Sequence, residues 1–187
     1  MVWLLLGVLV WSVVHASKSA APGLRAGLVQ RLREDPYKGL FSLAILLSVV
    51  LMVVGWRAAT PTPVYAPPAW GHAAALPLMI VALVLLVASA VPTNIKRVVR
   101  HPQLTGVALW ALAHLLANGD RRSIVLFAGI GIWALLEMVL INRREGARQK
   151  PAPLPLSADL KPLVGGLVAY FVLLVAHPYL FGVSPLR

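Results

Sequence analysis

The chain has 187 residues, of which 59% are hydrophobic and 12% charged, with no cysteine and a formal net charge of +11. Missing thiols exclude disulfides, Cys-ligated zinc, iron–sulfur clusters and a thiolate nucleophile, so any metal or cofactor iron must take histidine, methionine or carboxylate ligands. The charged share is about half that of a soluble domain, and the basic residues fall between apolar runs rather than on one face, which excludes a nucleic-acid-binding module.

Six apolar segments follow in chain order, at 2–16, 39–56, 73–91, 102–117, 123–141 and 163–179. They predict one all-α domain over residues 1–187, a polytopic membrane bundle of about six transmembrane helices in contact with lipid. A helix needs roughly 20 residues, with about 17 the usual minimum, to cross the hydrocarbon. The first and fourth segments are therefore short, and tilting, local thinning or re-entry is expected of them. The first also resembles the apolar part of a signal peptide, but it lacks a basic start and is read as a membrane helix. Among the connections, 60–68 (TPTPVYAPP) reads as an extended interfacial strap anchored by Tyr65 and Trp70. Asn118-Gly119-Asp120 reads as a tight turn, and 150–155 (KPAPLP) as a solvated linker.

Basic residues set the orientation. Lys18, Arg25, Arg31, Arg33 and Lys38 follow the first segment, and Lys96, Arg97 and Arg100 follow the third. Arg143, Arg144, Arg148, Lys150 and Lys161 follow the fifth. These alternate connections are expected in the cytoplasm, with both termini outside and Arg57, the 118–122 turn and Arg187 on the outer side.

Polar groups inside a membrane are costly and point to function by default. His15 reads equally as an interfacial histidine bonded to a carbonyl or as an axial ligand. His114 is deeper, and the helical rise places it within roughly 10 Å of the depth of His15, so both imidazoles are expected to face one cavity. Bis-histidine haem ligation asks for two ring nitrogens on opposite sides of one iron. Gly106, Trp110, His114 and Asn118 recur every four residues and share a helix stripe. Gly106 is expected to serve packing, with Trp110 stacked on a cofactor and Asn118 supporting it. His101, in Arg100-His101-Pro102, marks a helix start, and Arg100 reads equally as part of that start or of an anion pocket. Glu137 is expected to pair with Arg97 or Arg100, and His72 and His177 to be interfacial. No HExxH, Gly-rich phosphate loop or GxSxG turn is present.

VHASKSAAPGLRAGLVQRLREDPYKGLFSL, YAPPAW, IKRVVRHPQLTGVALWALAHLLANGD and VLFAGIGIWALLE followed by NRR together resemble the NnrU family of bacterial inner-membrane proteins. That resemblance implies a role linked to nitrite and nitric oxide metabolism in denitrifiers. The family is similar to the plant 15-cis-zeta-carotene isomerase, which uses haem b. By that likeness His15 and His114 are the axial ligands, and Arg100 and His101 stand near a propionate or the substrate mouth. A small hydrophobic substrate or a nitrogen oxide is the implied partner, with redox, nitric-oxide-related or isomerase-type chemistry. Ala111 stands where the plant enzyme carries a cysteine, so a thiol-dependent ligand exchange is absent here. RHPxxxG also resembles membrane methyltransferases acting on isoprenylcysteine, phospholipids or thiols, which implies S-adenosylmethionine near Arg100, His101 and Glu137. A third expectation is a non-catalytic membrane partner in respiratory nitrogen metabolism.

Overall fold

The computed structural model describes residues 1–186, so Arg187 lies outside the described residues. Among them every named element is a helix, with one isolated bridge between Pro63 and Asp120 in the connections. The helices are α1 (Val2–Ala20), α2 (Pro22–Leu32), α3 (Glu34–Ala58), α4 (Gly71–Ala90), α5 (Ile95–Val98), α6 (Pro102–Ala117), α7 (Arg121–Ser123), α8 (Gly129–Glu145) and α9 (Leu160–Phe181). A π-helical turn, Ile124–Ala128, joins α7 to α8 without a break, giving one apolar helix of 25 residues.

Five helices are long and apolar enough to cross a membrane. The sixth, α6, has 16 residues, or about 24 Å of rise. It nevertheless runs from one end of the bundle to the other: His101 at its start bonds Asn142 near the end of α8, and Leu115 near its finish bonds Tyr65 of the proline-rich strap. Re-entry is not what the structure adopts. The first helix is longer than its apolar run, because residues 16–20 (ASKSA) continue it to 19 residues. The connection after it is not a plain loop, since α2 starts on Pro22, a residue suited to the first helical turn.

Packing orders the long helices as a row, α3–α1–α8–α6–α4–α9. The two end helices, α3 and α9, are left facing outward, and α8, flanked by α1 and α6, is the most enclosed. Small residues set the closest approaches. A Cβ on Gly106 would stand 2.8 Å from the Ala82 carbonyl oxygen of α4, and one on Gly7 would stand 2.7 Å from the Ser48 carbonyl oxygen of α3. Gly106 thus has the packing role expected of it. Between α1, α6 and α8 the core is Val8, Ile130, Trp133 and Ala134, with Trp11 and Trp110 packed against it.

Side chains close both ends of the bundle. At the end bearing α2 and α5, called the basic end below, Asp159 accepts from Thr93 Oγ1 (2.5 Å) and the Asn94 amide (2.7 Å). The Asn94 side chain donates to the Leu154 carbonyl (3.0 Å) and accepts from its amide (2.9 Å). The 150–155 segment is therefore pinned rather than a freely solvated linker. At the opposite end, Val64 and Tyr65 amides donate to the Gly119 carbonyl (2.9 and 3.1 Å). The Tyr65 hydroxyl donates to the Leu115 and Asn118 carbonyls. The strap does more than lie along an interface: it caps carbonyls that the last turn of α6 leaves without intrahelical partners.

Candidate functional site

Two helices carry the same four-residue spacing. On α1 the series is Gly7, Trp11, His15 and Ser19, and on α6 it is Gly106, Trp110, His114 and Asn118. Each histidine Nδ1 bonds the tryptophan carbonyl one turn back, at 2.9 Å for His15 and 2.8 Å for His114. A carbonyl only accepts, so Nδ1 carries the proton and Nε2 keeps a lone pair in the neutral ring. This is the tautomer a metal-ligating histidine needs.

The two rings have different surroundings. His15 lies 4.3 Å from the Trp11 ring, 5.0 Å from Trp133 and 5.6 Å from Phe41. One turn along the same faces, the Ser19 hydroxyl donates to the buried Glu137 carboxylate. Glu137 therefore does not pair with Arg97 or Arg100. It stands one turn beyond Trp133 and faces α1, while Glu145, two turns further, reaches Arg100 at 3.6 Å. His114 stacks on Phe127 at 4.4 Å, and Trp110 meets the same ring edge-on at 4.9 Å. Asn118 donates to the His114 carbonyl (2.9 Å), so it caps the helix rather than orienting the imidazole.

The expected sharing of one cavity by His15 and His114 does not hold. Their aromatic partners on the continuous 121–145 helix, Phe127 and Trp133, are six residues apart, about 9 Å along its axis. Val8, Trp11, Trp110, Ile130, Trp133 and Ala134 fill the space between. The reason is directional: α1 and α6 run in opposite senses, so both tryptophans pack against the shared core while their histidines diverge toward opposite ends. Haem b held between His15 and His114 does not fit this packing.

His114 instead lines a cavity of about 440 Å³ between α4, α6 and α9, toward the end with the proline-rich strap. Its walls are mainly apolar, including Met79, Leu83 and Leu173, and His72 and His177 also line it. That volume lies in the range of small-molecule and cofactor sites, about 300–1,000 Å³. Apolar walls and an imidazole with a free Nε2 are the donor chemistry a haem site uses, so the residues here fit that group. Among the described residues, no three histidine or carboxylate side chains gather as a metal-ion site.

At the basic end a cleft of about 540 Å³ is lined by Lys96, Arg100, His101, Glu145 and Arg148. Its two arginines and its histidine already have partners. Arg100 donates to the Gly146 carbonyl (3.0 Å), Arg148 to the Lys96 and Val98 carbonyls (2.6 and 2.9 Å), and His101 Nε2 to Asn142 Oδ1 (2.9 Å). His101 keeps the structural role of a helix start, and Arg100 ties the 146–151 segment to α6. Sequence reasoning did not single out Phe127, Trp133 or Ser19. The Trp133–Glu137 spacing and the repeat of the α6 pattern on α1 were the available signals.

Fold and site together define a polytopic helix-bundle membrane protein with a histidine-lined cavity at one end. The chain matches the family model described as NnrU protein over residues 3–185, and it belongs to the NnrU family. No curated protein and no solved structure matches it.

Proposed function

We propose that this is a haem-b-binding protein of the bacterial inner membrane, in which His114 would hold the haem iron, serving redox chemistry tied to nitrite and nitric oxide metabolism. One observation carries the reading: His114 stands in the wall of an apolar cavity with Nδ1 bonded and Nε2 open. When bound, haem b supplies one-electron redox chemistry. Phe127 stacks face-on against the imidazole and Trp110 packs against it at a tilt, and the Trp110 carbonyl holds its tautomer. The lysines and arginines put the basic end in the cytoplasm, which leaves both termini and the cavity mouth periplasmic, where a nitrogen oxide or small hydrophobic substrate enters. Isomerase-type chemistry is open to this site only without thiol exchange, since Ala111 is buried against Gly131.

The test is an optical spectrum of detergent-purified protein from haem-replete cells. A Soret band is expected in the wild type and is lost in His114→Ala. A well-folded, colourless preparation sinks the reading. The basic cleft supports a second one, an S-adenosylmethionine-dependent methyltransferase using Arg100 and His101, and calorimetric binding of that cofactor to colourless protein favours it. Neither pigment nor binding leaves a non-catalytic membrane partner in nitrogen respiration.

A further inference from the structure

We infer that His177 of α9, which lines the same cavity as His114, and not His15, would be the second residue to hold the haem. The inference rests on the haem reading above and changes its ligand set. Helices α6 and α9 both pack on α4 rather than on each other, so α4 is the floor of the cavity and the other two are its walls. His114 and His177 line it from those two walls. Two imidazoles from separate helices lining one space are the donor set that bis-histidine ligation draws on.

The local chemistry of His177 repeats that of His114. Its Nδ1 bonds a carbonyl, that of Val183, at 2.8 Å, so the proton is again on Nδ1 and the lone pair on Nε2. The bond has a second consequence. Gly182 takes a positive φ of 74° and ends α9, and the chain then turns so that Val183, Ser184 and Pro185 line the cavity. The bond that fixes the His177 tautomer therefore also holds the chain end over the cavity. His72 lines the same space but is exposed in the first turn of α4, without a carbonyl anchor of this kind. His15 is on α1, beyond α8 in the helix row, behind packed tryptophans.

The experiment compares oxidised and reduced spectra, with electron paramagnetic resonance, of full-length wild type and His177→Ala, His177→Met, His15→Ala and His72→Ala. Wild type is expected to be six-coordinate and low-spin. His177→Ala is expected to keep its Soret band but become five-coordinate and high-spin, with added imidazole restoring the low-spin signal. His177→Met, which keeps a ligand of another kind, is expected to give a histidine–methionine spectrum. His15→Ala and His72→Ala are expected to match wild type. A high-spin change in either of those two, with both His177 variants unaltered, overturns the assignment. A wild type without haem fails the haem reading itself, a result told apart from the first by the missing pigment.

Discussion

The Gly-Trp-His stripes of α1 and α6 share spacing and hydrogen bonding yet end in different environments. On α1 the stripe closes against α8: His15 sits among Trp11, Phe41 and Trp133, and Ser19 reaches buried Glu137. On α6 it closes against Phe127 at one side and opens into a cavity at the other. A four-residue spacing sets which residues share a face and which tautomer the imidazole takes. What a histidine can then do depends on the helix opposite. Across from α1 that helix supplies a tryptophan and a carboxylate. Beside α6 the π-helical turn brings in Phe127, and α4 and α9 leave a gap.

If the α1 stripe is a packed core and the α6 stripe a ligand wall, the largest stability loss should come from the former. Trp133 is buried and touches both Trp11 and His15, and Trp133→Ala should cost about 3–5 kcal/mol. Thermal melts of detergent-solubilised apoprotein read this directly. A melt within error of wild type breaks the comparison, because it means that the α1–α8 contact is not what holds the bundle. His114→Ala, by contrast, should abolish pigment with far less effect on the same melt.

The glycines sharpen the comparison at the next level. Gly7 and Gly106 occupy equivalent stripe positions, and a Cβ on either meets a backbone oxygen of the neighbouring helix at 2.7 or 2.8 Å. Backbone cannot swing aside as a side-chain tip can, so Gly7→Val and Gly106→Val should each cost about 1–3 kcal/mol by overpacking. The two melts should fall by similar amounts, while only Gly106→Val also weakens the Soret band, because it displaces the helix that carries His114. Equal pigment loss in both variants means that the stripes act on one site and argues for His15 again.

Much of this was legible in the sequence. Hydropathy located all the long helices, and 102–117 coincides with α6 because a proline starts it and an asparagine–glycine turn ends it. The i+4 stripe of α6 was equally plain. Neighbour relations were not: depth arithmetic placed His15 and His114 within reach of each other, but it carries no information about which helix stands between them. Glu137 illustrates the same limit. Charge alone pairs it with an arginine, whereas its position one turn from Trp133 turns it toward Ser19. Polar residues in connections, such as Asn94 and Asp159, became meaningful only once the fold brought them together.

The smallest predicted effect concerns how each stripe is closed at its last turn. On α1 the closing group is Ser19, from within the helix; on α6 it is Tyr65, from the proline-rich strap. Tyr65→Phe keeps the ring and removes the donor, so the loss should be about 0.5–1.5 kcal/mol. Burial, and then the nearby Asp120 carboxylate, raise the Tyr65 phenol above its ordinary range. A raised value means that the folded state favours the protonated phenol, the form that donates to the two carbonyls. Its contribution is therefore complete below the unfolded phenol value of about 10 and declines as pH rises through the higher folded value. Melts of wild type and Tyr65→Phe should differ by a constant amount from neutral pH to about pH 10, and the gap should narrow above it. Melts that coincide at every pH show that the strap is held by its backbone bonds to Gly119 and that the phenol adds nothing.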